Sequence, residues 1–157
     1  MDADRRRHIG TFLNDHLAGS TIGIERARST RDSNQGTEFA APLARVCEEI
    51  EGDRDSLLAI IDELGVSRSK VKPALGWIGE RVGRLKPNGQ LRGYSPLGRV
   101  IDLEVLILGV SGKLRLWAVL GEVLDGESSA DLHALTRRAE GQRSTLEDLQ
   151  LRATHLL

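Results

Sequence analysis

Polar side chains interrupt the apolar stripe of each long helical pattern near its middle. His16 lies in the first pattern, Glu49 and Asp53 in the second, Glu104 in the third and Arg143 in the fourth. Carboxylates and a histidine can hold iron or manganese, whereas an always-charged guanidinium pairs with carboxylates and repels metal cations. A buried carboxylate is costly unless it has one of these partners. The spacing therefore predicts one polar layer across a helical core, built as a salt-bridge cluster or as a metal site.

Glu104 is the sharpest case, with a position at the edge of the core as the alternative, because the sequence around it is apolar: Ile101, Leu103, Val105, Leu106 and Leu108. Arg143 is its predicted partner, with Ser20 and Gln142 as further candidates for the same layer. If the pair forms, either single alanine substitution should destabilise the fold by about 3–5 kcal/mol. The double substitution should then recover part of that loss.

A basic segment separates the second and third helical patterns. Residues 66–100 hold eight basic side chains and one acidic one, which gives a local charge of +7. Such a segment could bind nucleic acid or an anionic lipid surface. Its apolar positions favour a simpler interpretation, in which the segment docks on the bundle and its charges are solvated. The side chains of the alternative anion-binding surface are Lys70, Lys72, Arg81, Arg84 and Lys86.

Composition narrows the classes of protein. The chain of 157 residues carries a net charge of −1, so it has no overall attraction to nucleic acid or membrane. Cys47 is the only cysteine, which excludes a disulfide framework and a cysteine-based zinc site. The N-terminal residues lack the apolar core of a signal peptide, and no apolar run is long enough to span a bilayer. We therefore expect a cytoplasmic protein without a membrane span.

Helical spacing of apolar residues dominates the chain. It predicts four long helices at about 5–31, 38–64, 96–124 and 128–156, within a single domain covering residues 1–157. Ser95 with Pro96 is a typical helix start, and Gly65 is a typical helix end. Ser128 or Ser129 is expected to cap the fourth helix. The third helix is apolar on nearly every side, which predicts that it is fully buried.

The connection at 65–95 decides the predicted topology. Helices of about 27 residues are roughly 40 Å long, and the connection, with a short extra helix in it, can travel that far. The first two helices must be antiparallel because their loop is short, and so must the last two. The simplest arrangement is up-down-down-up with one crossover. A plain up-down bundle is the alternative.

The chain resembles the ferritin-like superfamily, and in particular its stress-associated branch. Leu13-Asn14-Asp15 is similar to the Leu-x-Asp start of some members, and Glu49 and Glu104 fall where second- and third-helix carboxylates would lie. The resemblance implies an all-α four-helix bundle with two iron or manganese ions held by carboxylates and Glu-x-x-His pairs. The chain departs from it, since it has no Glu-x-x-His and carries Arg143 in the fourth helix.

These features favour a ferritin-like bundle with degenerate metal ligands and no cofactor, acting as a non-enzymatic structural or interaction protein. A homodimer or another protein would be its partner. The first alternative is an iron- or manganese-dependent oxidase or storage protein that uses His16, Glu49, Asp53 and Glu104. The second is a binder of nucleic acid or an anionic surface through residues 66–100.

Overall fold

The computed structural model describes residues 2–68, 94–124, 126 and 128–157. Over these residues the chain forms four α-helices and no strands. The helices are α1 (Ala3–Ser33), α2 (Ala40–Glu63), α3 (Pro96–Leu124) and α4 (Leu132–Thr154). The predicted all-α, four-helix class is therefore confirmed. The extra helix expected in the 65–95 connection lies outside the described residues.

The helix ends follow from local hydrogen bonding, with one difference from the prediction. Gly65 has a φ of +62° and ends α2 with paired bonds from Gly65 N to Asp62 O and from Val66 N to Ile61 O, which is the Schellman pattern. Ser95 caps α3, because its Oγ accepts from Gly98 N at 2.9 Å. The prediction that Ser128 or Ser129 caps α4 is wrong. Asp131 does so, with its carboxylate accepting from Ala134 N at 2.8 Å.

Each helix packs against two neighbours. α1 contacts α2 and α3, and α4 contacts α2 and α3, so the pairs α1/α4 and α2/α3 lie across diagonals of the bundle. One hydrophobic cluster receives residues from all four helices. Its largest fully buried side chains include Trp117, Phe39, Leu13, Leu57, Ile61, Leu103, Leu120, Leu146 and Leu149.

Polar contacts tie the helix ends together in a defined order. Arg5 near the start of α1 donates to the Val123 carbonyl near the end of α3. Arg26 near the end of α1 pairs with Asp102 near the start of α3 at 3.0 Å. Glu63 at the end of α2 accepts at 2.8 Å from Ser128 Oγ and from the Ser129 N–H, just before α4.

The third helix is not buried on all sides as its composition predicts. Its inner face is sealed by residues such as Leu103 and Trp117, at 0% and 1% exposure. Leu97 and Leu108 on its outer face are 43% and 66% exposed. An apolar residue alone does not say which side of a helix faces the core, so a helix apolar all round can leave one side open. Among the described residues, no helix has the length and apolar character needed to cross a membrane.

Candidate functional site in the polar core

Asp53 is the centre of a polar cluster inside the bundle. Its side chain is only 2% exposed, on the buried stripe of α2 that the sequence left interrupted. Arg138 of α4 donates from Nε to Asp53 Oδ1 at 2.7 Å, and its Nη2 contacts the same oxygen. Gln142, one turn further along α4, donates from Nε2 to Oδ2 at 3.0 Å. Both carboxylate oxygens therefore have polar partners.

Lys113 completes the cluster from α3, the helix diagonally across the bundle from the helix that carries Asp53. Its ammonium group donates to Asp53 Oδ2 and to Gln142 Oε1. Its side chain is 15% exposed. Burial lowers the pKa of Lys113 because it disfavours the charged form, while the neighbouring Asp53 carboxylate acts in the opposite direction. Arg138 adds to the lowering and the half-buried Glu49 opposes it.

The cluster meets solvent at its arginine. A groove of about 460 Å³ between the end of α2 and the start of α4 is lined by Arg138, Ser56, Glu63 and Asp131, among others. The Arg138 side chain is 38% exposed, compared with 2% for Asp53. The carboxylate is thus sealed, and only its cationic partner faces the groove.

The residues of this cluster do not fit a dimetal centre. One carboxylate is present, and two cationic side chains hold its oxygens where metal ions would need them free. The remaining polar contacts of the cluster come from the Gln142 amide, which donates to Asp53 and accepts from Lys113. Among the described residues, no group of three or more His, Cys, Asp or Glu side chains could hold a metal ion. No chemistry through iron or manganese follows from this arrangement.

The structure brings some of the predicted site residues together and separates others. Asp53 is central, and Glu49 is half-buried near Lys113. His16 lies apart, half-buried on α1 with its ring 4.6 Å from that of Phe12 in an edge-to-face contact. Burial lowers the pKa of His16, since it disfavours the imidazolium.

Glu104 and Arg143 are not where the sequence placed them. Glu104 is exposed on the outer side of α3. Arg143 is 44% exposed and pairs with Glu147 of its own helix at 3.6 Å. The predicted Glu104–Arg143 pair is therefore corrected, and Gln142 is the α4 residue of that turn that enters the core, at 1% exposure.

Sequence reasoning missed Lys113 and Arg138. Lys113 is the one basic residue between Asp102 and Leu114, in a mostly apolar stretch. Arg138 was hidden in the pair Arg137-Arg138, of which Arg137 is exposed. The predicted anion-binding residues Lys70, Lys72, Arg81, Arg84 and Lys86 lie outside the described residues.

A second polar cluster joins α1 to α3 at the end of the bundle. Tyr94 donates to Asp102 Oδ2 at 2.6 Å, and Asp102 also holds Arg26. Arg99, 9% exposed, donates from Nε to Asn34 Oδ1 at 2.7 Å. Burial and the Asp102 carboxylate raise the pKa of Tyr94, so its phenol stays a neutral donor. The side chains of this second cluster are hydrogen-bonded to one another, which indicates a structural role.

No protein-family model, curated protein or solved structure matches this chain.

Proposed function

We propose that the chain is a ferritin-like four-helix bundle without a dimetal centre, and that it works in the cytoplasm as a non-enzymatic structural or interaction protein. The observation that carries this proposal is the set of hydrogen-bond partners around the Asp53 carboxylate. Its two oxygens are held by Lys113, Arg138 and Gln142. In this proposal, protein cations and an amide take the role that metal ions have in a dimetal bundle.

The helix-end contacts support an up-down-down-up course for the bundle. The start of α1 contacts the end of α3, and the end of α1 contacts the start of α3. The end of α2 contacts the start of α4 through Glu63, and the end of α4 contacts the start of α2 through the Arg152–Glu38 pair. The pairs α1/α3 and α2/α4 are therefore antiparallel in this proposal. Since the short loop also makes α1 and α2 antiparallel, α2 and α3 are parallel across the diagonal.

The chemistry of the cluster supports a role in holding the bundle rather than in catalysis. A buried carboxylate with complete hydrogen bonding and two cations has no free lone pair directed at a substrate. Lys113 is committed to two acceptors, and Arg138 is the member of the cluster that the groove presents to solvent. The surface is then the part of the protein left for function.

Metal content tests this proposal. The untagged protein is expressed with added iron and manganese, and bound ions are counted by plasma mass spectrometry. We expect well under one ion per chain and no change in melting temperature with chelator or with manganese, because a ligand of the native state would raise it. About two ions per chain, lost in Asp53→Asn, would overturn the proposal and favour the oxidase or storage function.

A further inference from the structure

The outer side of α3 forms an apolar face that no other described helix covers. Leu97 and Leu108 are exposed, at 43% and 66%, and Ile101, Val105 and Val119 are half-buried. At about 100° per residue these positions fall on one side of the helix. We call them the α3 outer face, together with Gly112, which shares that side.

Gly112 leaves space in the middle of this face. A Cβ built at Gly112 would meet no atom within 4 Å, and the same holds for Gly109 beside it. Leu108 stands one turn before Gly112 and is the most exposed large hydrophobic side chain of α3. The α3 outer face therefore carries the protruding Leu108 side chain and, four residues later, open space at Gly112.

Two opposite charges flank the α3 outer face. Glu104 and Arg115 are exposed, and neither forms an ion pair with any described residue. They are 11 residues apart on one helix, which separates them by roughly 16 Å along its axis. They cannot pair within one chain.

We propose that the α3 outer face binds the same face of a second copy of this chain, with the two α3 helices antiparallel around a two-fold axis at the level of position 110. This register sets Leu108 of each copy against the Gly112 hollow of the other. It sets Ile101 against Val119 of the second copy. It also brings Glu104 within about one residue step of the level of Arg115 of the second copy, on the same flank.

Charge complementarity is what selects a second copy as the occupant. A two-fold antiparallel pairing takes two charges that pair with no described residue and joins them in two equivalent ion pairs between chains. Such a self-complementary patch is the defining property of a two-fold interface. This proposal rests on the proposed function in one respect, which is that it names the partner of an interaction protein. The dimer does not depend on the Asp53 cluster, because Lys113 joins that cluster from a different side of α3.

Sedimentation equilibrium of the full chain tests the proposal. One helix face is smaller than the roughly 800 Å² per partner of a standard interface, so the protein is examined over about 5–500 µM. We expect a concentration-dependent dimer, and Leu108→Asp should weaken it about tenfold or more. Leu151→Asp is the matched control, because Leu151 is also 66% exposed but lies on α4. It should leave the dimer unchanged.

A charge exchange tests the register. Glu104→Arg or Arg115→Glu alone replaces two attractions by two repulsions, and each should weaken dimerisation about fivefold to thirtyfold. The double variant restores the pairs with reversed sign and should return the dimer to near its original strength. Glu140→Arg, at an exposed position of α4, should have no effect.

A monomer at every concentration would overturn the proposal. If Leu108→Asp then lowered the melting temperature of that monomer, the face would be covered by a segment of the same chain. Equal weakening by Leu108→Asp and Leu151→Asp, or a double charge variant no better than the single ones, would also overturn it. None of these results changes the number of bound metal ions, so they are distinct from a failure of the proposed function.

Discussion

Lys113 and Asp53 belong to helices that lie across the diagonal of the bundle, yet their charged groups are in direct contact. The backbones of α2 and α3 do not approach each other, and the long lysine side chain crosses the gap. On the way it also meets Gln142 of α4. A single side chain therefore links three of the four helices through polar contacts inside the bundle.

Removal of the Asp53 carboxylate should be strongly destabilising. Asp53→Ala leaves the buried Lys113 and the partly buried Arg138 without their counter-charge, and breaking such a cluster costs about 3–5 kcal/mol. Urea unfolding followed by circular dichroism measures the change. Asp55→Ala, at an exposed position two residues away, should stay within about 0.5 kcal/mol. A similar loss in both variants would contradict a special role for the partners of Asp53, since alanine is the better helix former at either position.

Lys113 and Asp53 should be energetically coupled. Lys113→Met keeps most of the side-chain volume and should cost less than the loss of Asp53, because Asp53 retains Arg138 and Gln142. In a double-mutant cycle with Asp53→Asn we expect a coupling energy of about 1–3 kcal/mol. Additive losses in chemical denaturation would contradict a direct interaction between the two groups.

His16 should contribute to the loss of stability in mild acid. Its folded pKa is lowered by burial from the ordinary value of 6.5, so below that pH the unfolded chain binds the proton more readily than the native one. The stabilisation is complete above about pH 6.5 and is lost as the pH falls through the folded pKa. We expect the free energy of unfolding to depend less on pH in His16→Gln than in the original chain between pH 6.5 and 5. His133→Gln, at an exposed position, should keep the original slope.

Asn34 should be important for the junction between α1 and α3. It is fully buried, donates to the Thr30 carbonyl at 2.7 Å and accepts from Arg99 Nε at 2.7 Å. Asn34→Ala leaves the buried arginine without that acceptor, so we expect a loss of about 2–3 kcal/mol. Gln35→Ala, at the exposed neighbouring position, is the control for thermal and urea unfolding, and an equal loss there would contradict this role.

The sequence was informative where one local cause decides the structure. The spacing of apolar residues predicted all four helices, and Gly65 and Ser95 marked two of their ends correctly. The interrupted stripe of α2 indicated Asp53 as one of the candidates for a polar layer, together with Glu49. Each of these features depends on neighbours within a few positions.

The orientation of α3 could not be predicted in this way. Glu104 and Lys113 are nine residues apart, which places them on roughly opposite sides of the helix. Because apolar residues surround both, nothing local indicates which one faces the core. The contacts with Asp53 and Gln142 decide it, and those residues come from two other helices. The cap of α4 was missed for a related reason, since Ser128 and Ser129 are engaged by Glu63 of α2.

The Asp53 cluster also constrains the order in which mutations can accumulate during evolution. Loss of Lys113 first leaves a carboxylate that Arg138 and Gln142 still compensate. Loss of Asp53 first leaves two cations facing each other in the core. Loss of both basic residues before Asp53 would leave a buried carboxylate without any counter-charge, which is equally unfavourable. Descendants that reach an apolar core at this level should therefore have replaced Lys113 first and Asp53 second, and Arg138, whose side chain reaches solvent, last.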